Sequence, residues 1–489
     1  KVPAEAVYRI AEGFGSIVSQ MRELAFPPRN PAAVMHSLWQ HMEKRMPSKS
    51  FTLTEEEVLG YAKHLPRVEF RSEPTPEYLW RSLRYYTHGM GKFRLNGTAS
   101  PGAPWDRYVP DIKTLFEFDE LVEEVSHEAY RFLTMWRDLP EDVTPLDLFL
   151  RYSGPMGLVM IKNEPHPARK RLTGAYRIIV KVPLCVQLAM RVVFGDWIDQ
   201  LISAHESSPL KPGMGLHDEG RAALYQYAGQ LSALSGGKLV EQDVSSWDWC
   251  LSWEHLVQWD RVVISATGAS PAWAKMIRNS TRMNCSMPFM SPGGEILIWA
   301  DPHGQRSGGL RTAESNSGCN MLLENKVRDI PVTVPLKGMF MGDDSVGIGL
   351  GELDPAIVAQ NWGDYGFKLS LMGVSEHSDG FEFCSTHFTH DGAQLLSWPR
   401  VVFRFLSRHT LPGEWEQFMY ELRGIDGSQP PGVDLSEIVS FMDFLGRSGK
   451  PPGINVVNNA QDQSRCSSTA SSSQEEAVRA PQSGSPTSF

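Results

Sequence analysis

Two neighbouring acids between two short apolar runs place the strongest constraint on how this chain can fold. The segment Met339 to Val346 reads MFMGDDSV, which predicts a β-hairpin whose turn carries Asp343 and Asp344. An Asp-Asp pair in a hairpin is most often ordinary turn chemistry. Adjacent carboxylates also repel each other, and a dication bound between them would relieve that repulsion.

Two other segments carry side chains suited to the same site. Residues 239–244 predict a strand that ends near Asp243, and Asp248 follows five residues later. Residues 307–317 read SGGLRTAESNS, which predicts a Gly-rich turn and then a helix over residues 310–326. Moving a nucleotidyl group requires two Mg²⁺ ions ~3.5–4 Å apart on rigidly held carboxylates. An acid on one strand and a pair on an adjacent hairpin would supply that arrangement.

A basic strip lies upstream of these acids in a chain that is acidic as a whole. The 489 residues carry a formal net charge of −10, which argues against a protein that is basic throughout. Residues 151–191 nevertheless hold eight basic side chains and one acid, Glu164. The strip predicts a polyanionic ligand, and the alternative interpretation is a solvated basic face.

Length and composition limit the class of protein. A chain of 489 residues suggests about three domains. Six cysteines without a CxxC pair indicate a reducing compartment and no zinc ribbon. No stretch approaches the ~20 apolar residues of a membrane span, so we expect a soluble intracellular protein without a transmembrane segment. The start at Lys1 suggests a piece cut from a longer polyprotein.

The acid-bearing segments resemble motifs A, B and C of viral RNA-dependent RNA polymerases, in the same order along the chain. The middle segment matches the pattern SGxxxTxxxN at its four fixed positions, which are Ser307, Gly308, Thr312 and Asn316. In motif A, Ser246 stands where relatives often have glycine.

Further segments extend this resemblance over roughly residues 150–390. The segment IKNEPHP at 161–167, with Arg169-Lys170-Arg171 and YRII at 176–179, resembles motif F. Lys368 stands where motif D carries its lysine, and Phe383-Cys384-Ser385 resembles the motif E hairpin. The segments NEPHP and SWDW are most similar to those of sobemoviruses, poleroviruses and barnaviruses.

The resemblance implies roles for the catalytic and metal-binding groups. Asp243 and Asp343 would bind two Mg²⁺ ions, or Mn²⁺, with Asp344 in support and the Val244 carbonyl as a further ligand. Lys368 would protonate the leaving pyrophosphate as a general acid. The alternative for Lys368 is a solvated surface lysine.

The resemblance also implies the residues that bind nucleotide and RNA. Asp248, Thr312 and Asn316 would sense the ribose 2′-hydroxyl, which can both donate and accept a hydrogen bond. Ser307 and Gly308 would form a loop against the nascent base pair. Lys162 and Arg177 would hold the triphosphate. Arg169, Lys170 and Arg171 would contact RNA.

The implied fold is α+β, a right-handed polymerase with fingers, palm and thumb. The palm sheet should be antiparallel, with Asp243 and Asp343 facing each other across it. The expected parts are, in chain order, an N-terminal extension and fingers with motif F (1–235), palm motif A (236–255), a fingers insertion (256–305), palm motifs B–E (306–395), a helical thumb (396–455) and a disordered Ser-rich tail (456–489).

The implied function is template-directed RNA synthesis from NTPs with pyrophosphate release, in replication of a positive-strand RNA virus. The expected partners are template RNA, nascent RNA and NTPs, with a genome-linked priming protein as a further candidate. We expect the protein to work in replication complexes of the host cytoplasm and to associate with membranes only through its partners.

Two alternatives to this function stay open. The first is a reverse transcriptase, although Asp248 with Asn316 favours ribose selection. The second is an inactive polymerase-like RNA-binding scaffold, although such a protein has no reason to keep mutually repelling acids. The motif Cys384-x-x-His387-x-x-His390 has metal-like residue types, but its place in a hairpin with alternating aromatics favours structural packing.

Overall fold

A computed structural model describes residues 23–70, 72–140, 143–151, 154–214, 218–396, 399–400 and 403–404. The predicted helical thumb, apart from residues 396, 399–400 and 403–404, and the whole predicted Ser-rich tail lie outside these ranges.

Helices fill much of the described chain before residue 150 and connect the later strands. The helices are α1 (Pro31–Met42), α2 (Glu55–Ala62), α3 (Pro76–Thr87), α4 (Ile112–Leu115), α5 (Asp119–Asp138), α6 (Pro145–Arg151), α7 (Ala168–Thr173), α8 (Leu184–Ser203), α9 (Asp218–Ala233), α10 (Trp247–Cys250), α11 (Trp253–Thr267), α12 (Pro271–Ser286), α13 (Thr312–Val327) and α14 (Pro355–Asp364). Short 3₁₀ helices lie at Met90–Arg94, Trp105–Arg107 and His377–Asp379. Within the described ranges, no helix has the length and apolar character to cross a membrane.

Strands form four separate sheets. The strands are β1 (Leu24–Ala25), β2 (Gly157–Ile161), β3 (His166–Pro167), β4 (Ile178–Lys181), β5 (Lys238–Ser245), β6 (Phe289–Met290), β7 (Ile296–Leu297), β8 (Gly338–Met341), β9 (Asp344–Ile348), β10 (Lys368–Glu376), β11 (Phe381–Phe383), β12 (Thr386–Thr389) and β13 (Gly392–Leu395). The sheets have the orders β1-β3, β4-β2-β6-β7, β10-β5-β9-β8 and β11-β12-β13. The chain is therefore α+β, as predicted.

Local sequence signals set several helix boundaries. Thr54 and Glu57 form a capping box at α2, because the Glu57 amide donates to Thr54 Oγ1 at 3.1 Å and the Thr54 amide donates to Glu57 Oε2 at 2.7 Å. Asp354 caps α14, whose first residue is proline. The helix predicted over residues 310–326 is α13, and it begins two residues later because residues 310 and 311 lie in a turn that the Thr312 amide closes onto the Gly309 carbonyl.

The sheet β10-β5-β9-β8 is antiparallel at every pairing. The predicted strand over residues 239–244 is β5, and the predicted hairpin is β8–β9. One detail of the prediction is wrong, because only Asp343 lies in the turn, whereas Asp344 is the first residue of β9 and pairs with Met341. Since Gln242 pairs with Ser345, the next residue of β5, Asp243, lies beside Asp344.

Two apolar cores hold these layers together. The larger core joins α1–α3, α5, α8 and α11–α13, with Trp105, Trp136 and Trp259 almost fully buried. The smaller core packs α9 and the meander β11–β13 against the central strands, through side chains such as Leu231, Val346 and Phe388. Burial of large apolar side chains is the main favourable contribution to such packing.

A buried ion cluster ties α11, α12 and α13 together beneath the Gly-rich turn. The Arg311 guanidinium donates to Asp260 at 2.9 Å, to Glu314 at 3.0 Å and to Thr281 at 2.7 Å. The indoles of Trp197 and Trp259 also donate to Glu314, at 2.9 and 2.7 Å. Burial raises the pKa of Asp260 to about 6, although Arg311 opposes this shift.

We predict that Arg311→Met destabilises the protein by about 3–5 kcal/mol, because it leaves Asp260 and Glu314 buried without their cation. Urea denaturation followed by tryptophan fluorescence measures the effect. Arg137→Met is the matched control, since its partner Asp138 is 61% exposed and the pair contributes little. Equal stability of the two variants would contradict the prediction.

Candidate active site

Asp243, Asp343 and Asp344 converge at one end of the central sheet. Asp243 is near the end of β5, Asp343 is in the β8–β9 turn and Asp344 begins β9. Asp243 and Asp344 line a cleft of about 580 Å³, which Glu241, Glu382 and Cys384 also line. The structure thus brings Asp243 together with the pair Asp343 and Asp344, which begins 100 residues later in the sequence.

Burial and neighbouring charges perturb Asp343 and Asp344. Burial in the cleft, followed by the charges of Asp343 and Asp243, raises the pKa of Asp344 to about 7. Burial also raises the pKa of Asp343, while Arg177 opposes the shift and Asp243 reinforces it. All three side chains still reach solvent, so the cleft walls remove part of their hydration without sealing them. Such mutually destabilised acids fit a divalent cation, which carries the opposite charge and prefers oxygen ligands.

Helix α13 holds the acidic turn through two side chains that the sequence did not single out. The Gly342 amide donates to Ser317 Oγ at 2.8 Å. Asn320 Nδ2 donates to the carbonyls of Gly342 and Asp343, at 3.2 and 3.1 Å. Asn316 and Asn320 are four residues apart on one helix, which places them on the same face. That spacing is the signal that could have identified Asn320.

Strand β10 holds Asp243 through a local irregularity. Its register against β5 shifts between Leu369 and Leu371, leaving Ser370 in a bulge. Ser370 Oγ lies 2.9 Å from the Asp243 carbonyl and 3.3 Å from its Oδ2. No motif indicates this residue in the sequence, because a bulge depends on the pairing of two strands.

Asp248 links the segment after β5 to the Gly-rich turn. Asn316 Nδ2 donates to Asp248 Oδ1 at 2.5 Å, and Ser307 Oγ donates to Asp248 Oδ2. Burial raises the pKa of Asp248, while these two hydrogen bonds lower it. Asn316 is 5% exposed, and its Oδ1 has no hydrogen-bond partner within the described part of the chain. The Asn316 Oδ1 is therefore available as a hydrogen-bond acceptor close to Asp248 and Ser307.

The Gly-rich turn packs directly on β4. Gly308 has φ +109°, and a side chain there would meet the Val180 carbonyl at 2.5 Å. The Val180 amide donates to the Ser307 carbonyl at 3.0 Å. Thr312 begins α13 and donates from Oγ1 to the Arg306 carbonyl at 2.8 Å. Glycine is required at 308 because both the backbone angle and the close approach exclude a side chain.

The basic strip contributes one cation that acts on the acids. Arg177 lowers the pKa values of Asp343, Asp344 and Asp248, in each case against the larger effect of burial. Lys162 lies next to Arg177 at the end of the β2–β4 pair, since its amide donates to the Arg177 carbonyl at 2.8 Å. The Lys162 ammonium is 3.1 Å from Glu164.

The other predicted residues lie around the cleft in different settings. Helix α7 carries Arg169 and Arg171 exposed, and Lys170 partly buried. Lys368 is the exposed first residue of β10 and pairs with Ser245, next to Val244. Cys384 and Ser385 form the predicted turn between β11 and β12, both in the left-handed region. Residues Cys384 and Ser385 line the cleft.

Across the described ranges, no three histidine, cysteine, aspartate or glutamate side chains are grouped so that they could hold a metal ion. Cys384, His387 and His390 form no such group either. His390 is 88% exposed at the tip beyond β12 and faces Asp391 at 3.3 Å. Asp243 and Asp344 line an open acidic cleft, and Asp343 lies in the turn next to Asp344.

Comparison with known proteins finds viral relatives. The chain is 29% identical over 344 residues to the RNA-directed RNA polymerase of Mushroom bacilliform virus, covering 68% of this chain and 79% of that protein. It is 31% identical over 376 residues to the replicase polyprotein P2AB of Southern bean mosaic virus, covering 75% of this chain and 36% of the relative. It is 28% identical over 266 residues to Protein P1-P2 of Turnip yellows virus, covering 51% and 23%.

These matches differ in how much of each relative they include. The chain spans most of the first protein, but well under half of the replicase polyprotein P2AB and of Protein P1-P2. No family model matches the sequence.

We predict that a divalent cation binds the acidic cleft more tightly as the pH rises from about 6 to 8. The raised pKa of Asp344, about 7, means that a proton occupies this carboxyl at lower pH and must leave before a cation binds. Calorimetric titration with Mn²⁺ at several pH values measures the trend.

Asp344→Asn should flatten this pH dependence, because it removes the competing proton. Asp391→Asn is the control, since that carboxylate is 94% exposed and is not among the residues that line the cleft. A wild-type affinity that does not change over this pH range would refute the assignment.

Proposed function

We propose that this chain is a viral RNA-directed RNA polymerase related to those of barnaviruses, sobemoviruses and poleroviruses, and that it joins NTPs on an RNA template at the cleft beside Asp243, Asp343 and Asp344. The observation that carries the proposal is the convergence of these three acids, with the pKa of Asp344 raised to about 7, at one end of an antiparallel sheet. A cluster that resists ionisation is costly for a merely structural surface and useful for binding cations.

The right-handed polymerase plan assigns parts to the described elements. The sheet β10-β5-β9-β8 would be the palm, with motif A at 236–255 and motifs B–E at 306–395. The sheet β4-β2-β6-β7, which packs on the Gly-rich turn through Val180, would belong to the fingers. Residues 1–235 and 256–305 would form the remainder of the fingers, and residues 396–455 would form the thumb.

The acids would act on the attacking and leaving groups through bound cations. Asp243 and Asp343, with Asp344 and the Val244 carbonyl, would hold two Mg²⁺ or Mn²⁺ ions that activate the ribose 3′-hydroxyl and neutralise the departing pyrophosphate. Ser317, Asn320 and Ser370 would position these ligands, because each hydrogen-bonds the backbone or side chain of an acid-bearing segment. Rigid placement removes a reorganisation cost from the reaction.

The basic residues would bind the phosphates. Arg177 acts on Asp248, Asp343 and Asp344, which suits contact with an incoming triphosphate, and Lys162 lies beside it. Arg169, Lys170 and Arg171 on α7 would contact the RNA backbone. Lys368, exposed at the start of β10, would donate a proton to the leaving pyrophosphate.

Selection of ribose would fall to the group formed by Asp248, Ser307 and Asn316. The open Oδ1 of Asn316 can accept from a 2′-hydroxyl, and Asp248 fixes the orientation of the amide. Thr312 would support the turn from the first residue of α13. This arrangement favours RNA over DNA synthesis.

The partners follow from this activity. Template RNA, nascent RNA and NTPs would occupy the cleft, and a genome-linked priming protein would be a further candidate. The chain would work in replication complexes of the host cytoplasm, with any membrane association supplied by its partners.

We expect Asp343→Ala to lower Mg²⁺-dependent NTP incorporation on a primed RNA template by at least ~10³-fold, because a bound cation contributes several kcal/mol of transition-state stabilisation. Labelled-nucleotide incorporation measures the loss, and RNA affinity should stay within about twofold. The control is Asp391→Ala, at a position 94% exposed. Full activity of Asp343→Ala would disprove the metal assignment, and RNA binding without turnover in the wild type would favour the scaffold alternative.

We expect Asn316→Ala to raise the ratio of dNTP to NTP incorporation by about tenfold, which is the size of one hydrogen bond at a buried acceptor. Single-nucleotide addition with matched ATP and dATP gives this ratio. Asn361→Ala serves as the control, because Asn361 bonds the Val327 carbonyl at 2.7 Å, away from the cleft. A parallel loss of both activities, with no change in the ratio, would remove Asn316 from ribose selection.

A further inference from the structure

A second cavity lies at the opposite end of β8 from the acids. It measures about 340 Å³, and the end of α2, the segment after α8, helix α9 and the residues before β8 surround it. Lys337 immediately precedes β8, and Asp343 follows the other end of that strand. At about 3.3 Å per residue, six residues separate the two sites by roughly 20 Å. The cavity is therefore distinct from the proposed catalytic cleft.

Basic side chains line this cavity, and none of its described lining residues is acidic. Lys63, His64 and Lys337 supply the basic groups. Burial, followed by Lys337 and Lys63, lowers the pKa of His64, which indicates that the three groups lie close together. Burial lowers the pKa of Lys337 to about 8, so this ammonium is still mostly charged at pH 7. The cavity therefore concentrates positive charge.

The lysines keep hydrogen-bond capacity for a ligand. Lys337 Nζ donates to the carbonyls of Pro331 and Val332, at 3.0 and 2.7 Å, which uses two of its three donors. Lys63 is exposed and makes no ion pair within the described ranges. One Lys337 donor and the Lys63 ammonium are therefore available.

Tyr227 adds a buried hydroxyl to the same wall. The residue is 4% exposed, and its hydroxyl has no hydrogen-bond partner in the described part of the chain. Burial raises the pKa of Tyr227 well above its ordinary value, so the hydroxyl keeps its proton and can donate. The Lys211 ammonium lies over the Tyr227 ring, 3.5 Å from its centroid. The charge of Glu206 raises the pKa of Lys211, but Glu206 is not among the residues that line the cavity. An unsatisfied buried polar group is costly, and an acceptor in the cavity would satisfy it.

We propose that this cavity, hereafter the distal pocket, binds a phosphate-bearing anion through Lys63, Lys337 and Tyr227. The donors, the excess of positive charge and the lack of a lining acid all match a phosphate group, which accepts several hydrogen bonds and carries negative charge. A volume of about 340 Å³ lies at the low end of small-molecule sites, so the ligand is the size of pyrophosphate or a nucleoside monophosphate rather than a polymer.

Binding of pyrophosphate by the full chain, measured calorimetrically in EDTA, tests the proposal. An Arg177→Met background reduces binding at the catalytic cleft, and the pocket variants then measure the share of the remaining binding that belongs to the distal pocket. In that background, Lys63→Met and Tyr227→Phe should each weaken binding by about tenfold, because each removes one hydrogen bond to a charged group. Lys113→Met and Tyr86→Phe, at an exposed lysine and a buried tyrosine outside the pocket, should leave the affinity unchanged.

Parallel titrations with inorganic phosphate and AMP distinguish the sources of the phosphate group. Equal affinity for phosphate and AMP would support recognition of the phosphate alone, and tighter binding of AMP would support a nucleotide ligand. Absence of pyrophosphate, phosphate and AMP binding in the Arg177→Met protein would overturn the proposal, as would binding that neither pocket variant weakens. Because these titrations contain no metal, template or NTP substrate, their failure is separate from failure of the polymerase assignment.

Discussion

The mutual repulsion of Asp243, Asp343 and Asp344 is the constraint on which the arrangement of the site depends. Burial, followed by the charges of Asp343 and Asp243, disfavours the ionised form of Asp344, as its raised pKa records. The fold opposes this repulsion with contacts from three directions. Helix α13 bonds the acidic turn, the bulge in β10 bonds Asp243, and Arg177 acts from the strand pair β2–β4. Each contact comes from a different element, so the geometry of the acids depends on how the whole unit packs.

Asp248 connects the segment after β5 with the Gly-rich turn and α13, which lie far from it in the sequence. Its carboxylate accepts from Ser307 and Asn316, and the same Gly-rich turn rests on β4 where Gly308 meets Val180. The buried ion cluster of Arg311 lies directly below and fixes the start of α13. A nucleotide sensed by Asn316 would therefore contact a group that connects the central sheet, the Gly-rich turn and the neighbouring sheet. A buried polar network of this kind stabilises one arrangement over its alternatives only when its members are satisfied. The open oxygen of Asn316 is the exception that suits a ligand.

Much of this arrangement could be predicted from local sequence signals. The capping box at Thr54, the strand before Asp243, the hairpin around Asp343 and the helix after Gly309 all follow from residue types that act within a few positions. The bulge at Ser370 and the bonds of Ser317 and Asn320 to the turn could not be predicted, because they depend on which strand pairs with which and on the packing of α13 against β8. The place of Asp344 in β9 rather than in the turn follows in the same way from the pairing of Met341.

The distribution of charge explains how an acidic chain can present basic sites. A net charge of −10 spread over 489 residues does not fix the potential of any one cavity. Lys162 pairs with Glu164, whereas its neighbour Arg177 acts both on Glu164 and on Asp343. At the other end of β8, Lys63 and Lys337 have no acidic neighbour in the wall of the distal pocket. One strand thus lies between an acidic end and a basic end. Lys337 immediately precedes β8 and Asp343 follows it after Gly342, so this strand connects the distal pocket with the acidic turn.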